Sequence, residues 1–281
     1  LLLFVGFFLI VAGIITGKTA RDTFFLDRFG SDYLPLMFVA QALVVTIAVP
    51  LLARLSRGRH PSRTLFLGAV LSAAPLALAR WHAEGYVIPI AYVAVEVATV
   101  VVTTQFWLLT GGVFRSRQAK RLFALIASGG SIAGIVVGIG MRPLLTEGGA
   151  GAEWLFVACA GLFVAGAAVG ALVRGAATPT PGSVPKVVAS EGRRGRMSPY
   201  LVSIALLTGV TAVATVIVDY LFKTVAVASY PDKEELAAFF LLFHALTGGV
   251  GLFIQWFATG RVIRRFGILG GLLMLPVSLS V

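Results

Sequence analysis

Apolar residues in this chain come in blocks of about twenty, separated by short polar stretches. Strict alternation, the mark of a half-buried strand, is absent, and few blocks show the narrow apolar stripe of a surface helix. A helix crossing a bilayer needs about 20 apolar residues. Eight blocks meet that length, at 1–27, 33–55, 63–82, 86–114, 122–145, 153–173, 199–229 and 234–259, and a ninth starts at 267. The pattern predicts an all-α integral membrane protein with eight spans and the start of another. The first, fourth and seventh are long enough to tilt or to protrude from the bilayer.

Composition agrees. The 281 residues are 58% hydrophobic and 12% charged, where a soluble domain carries about 25% charged residues. The net charge of +11 would suit a nucleic-acid binder, but its placement points elsewhere. The second, fourth, sixth and eighth loops are basic, carrying Arg54, Arg57, Arg59 and Arg63; Arg115, Arg117, Lys120 and Arg121; Arg174, Lys186, Arg193, Arg194 and Arg196; and Arg261, Arg264 and Arg265. The odd loops, with Asp27, Asp32, Glu84, Glu147, Glu153, Asp232, Glu234 and Glu235, are neutral or acidic. Lys and Arg collect on the cytoplasmic side of membrane proteins. The even loops and the N-terminus are therefore expected to be cytoplasmic, and no nucleic-acid partner is needed to explain the charge. The opening run Leu1–Thr16 lacks the basic start and small-residue cleavage site of a signal peptide and reads as a span. A chain starting at Leu1 and ending at Val281 inside an apolar run reads as part of a longer polypeptide.

The sixth loop, 174–198, differs from the others. Thr178-Pro179-Thr180-Pro181-Gly182 and Glu191-Gly192-Arg193-Arg194-Gly195-Arg196 give it the composition of a flexible linker. It divides the chain into a six-helix bundle (1–173), a cytoplasmic linker (174–198) and the start of a second bundle (199–281). That is the layout of a two-bundle secondary transporter. A short internal repeat agrees with it. Gln41-Ala42-Leu43 matches His244-Ala245-Leu246, each followed by a basic turn, and Asp22 upstream corresponds to Asp219. Matching spans keep the same orientation, as in parallel repeats of the major facilitator type.

Ionisable residues inside spans carry the functional signal, since each costs about 2.5–3.5 kcal/mol at the centre of a lipid-facing helix. The first span holds Lys18, Arg21 and Asp22, the fourth Glu96, and the seventh Asp219 and Lys223. Lys18 and Asp22, like Asp219 and Lys223, stand four residues apart on one helix face. Two readings follow for the first span: Lys18 and Asp22 neutralise one another, or they form a cationic site that binds an anion. Lys223 either joins that site or snorkels to the interface. Glu96 needs a basic partner or a proton.

Other features have plainer explanations. Gly130, Gly134 and Gly138 form overlapping small-residue steps for close helix approach. His244 reads as a hydrogen-bonded packing residue ahead of a substrate or proton ligand, Arg142 as an interfacial anchor, and Trp81, Trp154 and Tyr230 as an aromatic belt. The lone Cys159 fits a small buried hydrophobe. No metal-ligand spacing, cofactor motif or nucleophile–base pair occurs, so neither an enzyme nor a bound cofactor is expected.

Several of these segments resemble the ATP/ADP translocase family of bacterial and plastid nucleotide transporters. They are Lys18-Thr19-Ala20-Arg21-Asp22-Thr23, Glu96 with Phe106-Trp107, Ala119-Lys120-Arg121-Leu122-Phe123-Ala124-Leu125, and Asp219-Tyr220-Leu221-Phe222-Lys223 with Ala228-Ser229-Tyr230-Pro231-Asp232. Asp219 stands where the family usually has Glu, and Phe222 where the aromatic is usually Trp. The resemblance implies a twelve-helix major-facilitator fold in a bacterial plasma membrane, with nucleotides such as ATP and ADP exchanged by alternating access. Lys18, Asp22, Glu96 and Lys223 would take the family's substrate-path positions, joined by Arg21 and Asp219. Further helices, and in some members a fused cytoplasmic domain, would follow Val281. The other readings are a membrane anchor or sensor on the same fold, and a transporter of a lipid or drug-like amphiphile.

Overall fold

A computed structural model of the chain describes residues 1–56, 58–80, 85–114, 116–146, 151–175 and 199–258. The described residues form eight helices long and apolar enough to cross a membrane, with no strand among them. They are α1 (Leu2–Phe29), α2 (Leu34–Leu55), α3 (Pro61–Ala79), α4 (Val87–Val113), α5 (Ser116–Thr146), α6 (Trp154–Ala171), α7 (Pro199–Ser229) and α8 (Lys233–Phe253). Most of the 174–198 linker and the expected span from 267 lie outside the described residues.

Three boundaries depart from the apolar blocks. Helix α5 starts at Ser116, six residues ahead of the apolar run at 122. The intervening Gln118-Ala119-Lys120-Arg121 are good helix formers that hydropathy does not register. Helix α6 stops at Ala171 and tightens into a 3₁₀ turn, Leu172–Gly175. Helix α8 widens after Phe253 into a π turn, Ile254–Ala258, a change of pitch that leaves no mark in an apolar pattern.

The ends are set by local chemistry. Gly30 closes α1 with φ 70°, a left-handed conformation that favours glycine, and its N–H donates to the Leu26 carbonyl at 3.0 Å. Asp232 caps α8, its Oδ1 accepting from the N–H groups of Glu234 at 2.9 Å and Glu235 at 3.1 Å.

Helix α1 is the hub. It packs on α4, α5, α6 and α8, and it is the most enclosed of the eight. Phe7 stacks on Phe106 of α4, Phe24 meets Phe156 of α6, and Phe25 meets Tyr92 of α4. Cys159 lies wholly buried against Gly17, where a Cβ would come within 2.7 Å of its sulfur. The lone cysteine is thus a small side chain filling a tight helix crossing.

Helix α5 lies along α8 with almost nothing between the backbones. A Cβ on Gly134 would sit 2.8 Å from the His244 carbonyl oxygen, and one on Gly248 would sit 2.7 Å from the Ser131 carbonyl oxygen. One on Gly138 would collide with the Leu241 carbonyl oxygen. Two of the three glycines picked out in the sequence therefore mark this seam, while Gly130 faces Phe7 and Val11 of α1. Helix α7 is different. Its apolar length is open along the outside, and it meets α1 and α2 only towards its C-terminal end, where Lys223 and Ala226 are buried.

Candidate functional site

The buried end of α7 is where the charged residues meet. Asp22 lies seven residues from the end of α1 and Lys223 six from the end of α7, which is about 9–11 Å along each axis. Both side chains are thus about two turns in from their helix ends. Lys223 is 3% exposed. Its ammonium lies 2.8 Å from Asp219 Oδ2 and 3.1 Å from Asp22 Oδ2. The snorkelling reading is therefore wrong, because two carboxylates hold this lysine inward. The two aspartates are the ones the internal repeat aligns, so a single lysine bridges the repeat-related acids.

Arg21 sits on the other side of Asp22. Its Nη1 donates to Glu96 Oε2 at 2.7 Å and reaches Gln41 Oε1 at 3.5 Å. Its Nε lies 3.3 Å from Asp22 Oδ1. That last contact is an ion pair without hydrogen-bond alignment, and both atoms are buried with no hydrogen-bond partner among the described residues. The guanidinium lies 4.5 Å from the ring centre of Tyr92, close enough for cation–π attraction.

Lys18 is the loosest member. Its ammonium is 3.9 Å from Glu96 Oε2 and its side chain is 35% exposed. The idea that Lys18 and Asp22 neutralise one another is corrected here. The ion pair of Lys18 runs to α4, and those of Asp22 run to Arg21 and to Lys223 on α7. An acid four residues before a base is the favourable order on a helix, which Asp219–Lys223 has and Lys18–Asp22 reverses, so the latter two part company despite their spacing.

The structure thus joins all six sequence-selected residues, Lys18, Arg21, Asp22, Glu96, Asp219 and Lys223, into one chain of contacts across α1, α4 and α7. Three cations face three carboxylates. Such a network loses much of its hydration and is kept only if every charge stays paired, since removing one partner of a buried pair typically costs about 3–5 kcal/mol.

Sequence reasoning missed the residues around it. Tyr92, fully buried, lies under Arg21 and 6.0 Å from the Lys223 ammonium, and Phe38 lies 5.4 Å from that ammonium. Of Gln41 and His244, the two matched positions of the internal repeat, Gln41 touches the network. Gln41 contacts Arg21, whereas His244 lies at the α5–α8 seam, its carbonyl oxygen 2.8 Å from where a Cβ on Gly134 would sit. The repeat held a signal for Gln41. Tyr92 and Phe38 gave none, because an aromatic in an apolar run looks like any other core residue.

A separate ion pair ties the first six helices to α8. Glu153, just before α6, accepts from Lys233 at the start of α8 at 2.8 Å. Partial burial alone would raise the Glu153 carboxyl, but the hydrogen bond and charge of Lys233 outweigh it and hold it below the usual range. Among the described residues, no group of three or more His, Cys, Asp or Glu side chains is arranged to hold a metal ion.

Comparison with known proteins gives one consistent relationship. The chain is 38% identical over 84 residues to ADP,ATP carrier protein 1 of Chlamydia muridarum, and 34% identical over 84 residues to ADP,ATP carrier protein 1 of Chlamydia trachomatis. ADP,ATP carrier protein 1 of Chlamydia pneumoniae is 34% identical over 80 residues. Each match covers 28–30% of this chain and 16% of the relative. No family model matches the chain, and no solved structure matches it.

Proposed function

We propose that this chain carries the substrate path of a secondary transporter for a multiply charged anion of the nucleotide type, ATP or ADP, working by alternating access. The observation that carries the reading is the lysine shared between Asp22 and Asp219. It places a buried cation at the contact between the first six helices and α7, where a major-facilitator transporter binds its cargo. The similarity to ADP,ATP carriers over 84 residues supports the substrate class.

On this reading α1–α6 form one bundle, residues 174–198 a cytoplasmic linker, and α7 and α8 begin a second bundle in a bacterial plasma membrane. Lys18, loosely paired and the most exposed of the three cations, meets the anion first. Arg21 offers a planar fork suited to phosphate oxygens, and the two lysines act as point charges. Asp22, Glu96 and Asp219 hold these cations when no anion is bound, so the empty site stays neutral. An arriving phosphate group displaces carboxylates from the cations rather than filling a ready-made positive pocket.

The test is uptake by proteoliposomes holding the full-length protein, with labelled ATP, ADP, AMP and inorganic phosphate. The reading expects the di- and triphosphates to be taken up, and Lys18→Gln to lose them at unchanged expression. Uptake of none of these anions, or of an uncharged amphiphile instead, would sink it.

A further inference from the structure

Tyr92 lies on the same face of α4 as Glu96, one turn earlier, and points at α1. Its ring is wholly buried, with the Arg21 guanidinium 4.5 Å and the Lys223 ammonium 6.0 Å from its centre. The ring alone accounts for these contacts, and phenylalanine would supply them equally well. The hydroxyl is what needs explaining. It is buried with no hydrogen-bond partner among the described residues. A donor left idle inside an apolar layer is costly. Asp22 Oδ1, 3.3 Å from Arg21 Nε, is a buried acceptor that is also short of a hydrogen bond. A residue with an unused donor and one with an unused acceptor therefore both contact the Arg21 guanidinium.

We propose that Tyr92 is a positioning residue of this site, whose hydroxyl takes over Asp22 when an anion draws Lys223 away. The inference rests on the anion-binding reading above. In this structure Asp22 is held by Lys223 at 3.1 Å and by the off-line contact with Arg21. An anion that captures Lys223 leaves Asp22 with Arg21 alone. A small turn of the phenol ring lets the hydroxyl donate to Asp22, so the carboxylate stays charged and in place. Tyr92 acts on the anion indirectly, by lowering the cost of releasing Lys223. The consequence is asymmetric: the hydroxyl contributes nothing to the empty state and stabilises the loaded one. Hydrogen bonds to a charged group are strong enough for its loss to weaken anion binding roughly ten- to a hundred-fold.

Two measurements on the purified full-length protein test this. The first is a thermal-stability cycle without ligand. Lys223→Met removes the lysine from Asp22 as the anion would. Tyr92→Phe alone should leave the melting temperature unchanged or slightly higher, whereas in the Lys223→Met background it should lower it by about 3 °C or more. Equal effects of Tyr92→Phe in both backgrounds would overturn the proposal whatever nucleotides do. The second measures stabilisation by ATP, ADP and pyrophosphate, and it decides the matter if Lys223→Met does not fold. Tyr92→Phe should need ten-fold or more ligand for the same shift, and equal shifts would overturn the proposal. A wild type that none of the three anions stabilises removes the anion site, and the exchange at Asp22 with it. The two failures are thus told apart by the wild-type arm.

Discussion

Exchanging two residues of α1, Lys18→Asp with Asp22→Lys, preserves composition, helix and net charge. If the two neutralised one another, the swap would be harmless. The geometry says otherwise. The carboxylate of Asp22 lies 3.1 Å from Lys223 and its other oxygen 3.3 Å from Arg21. A cation there would face two buried cations. Losing the Asp22 carboxylate already costs about 3–5 kcal/mol. Repulsion at such a separation adds on the order of 5 kcal/mol at an effective dielectric constant of 20, before side chains move apart. At position 18 an acid would meet Glu96, now facing a like charge. The sum rivals the whole stability of an ordinary domain, about 5–15 kcal/mol. By contrast, Lys18→Gln breaks a 3.9 Å, partly exposed pair worth under about 1 kcal/mol. The double swap should therefore fail to yield a monodisperse protein on detergent size-exclusion chromatography, while Lys18→Gln elutes and melts like the wild type. A well-folded swap variant would refute the network as described.

Three further outcomes are expected. Arg21→Lys keeps the charge but loses the fork between Glu96 and Asp22 and the stacking on Tyr92, so it should lower the melting temperature, whereas Arg28→Lys at the end of α1 should not. The Glu153–Lys233 pair should add a small stability, under about 1 kcal/mol because both side chains are partly exposed. Since its folded carboxyl lies below the ordinary value, this stability is present above the unfolded pKa and lost as pH falls through the folded one. Melting curves of the wild type and Glu153→Gln should then converge in acid and separate at neutral pH. Finally, Gly134→Leu should separate α5 from α8 and abolish any thiol cross-link engineered between them, while Gly140→Leu, which meets nothing within 4 Å, should leave it intact.

The spans were readable because a bilayer imposes one length and one solvent on every helix. The candidate residues were readable for the same reason: a charge inside a span stands out against lipid. Their pairing was not. Asp22 meets Lys223 about two hundred positions away, and helical spacing describes only neighbours on the same helix. It therefore found Asp219–Lys223 correctly and suggested Lys18–Asp22 wrongly. Tyr92 was invisible because its burial looks ordinary and its isolation as a donor exists only in three dimensions. The early start of α5 was lost because hydropathy records where a helix is greasy, not where it is helical.

The seam between α5 and α8 has a mechanical consequence. Where helices lock large side chains into one another's grooves, tilting one against the other means repacking every tooth. At Gly134 and Gly248 there are no teeth, only two backbones in contact. Such a surface resists being pulled apart, because close approach maximises dispersion, but it offers little resistance to rolling. It behaves as a bearing. A change of angle between α5 and α8 can leave this line of contact in place while the distant ends of the helices, and the ion pairs near them, move the most.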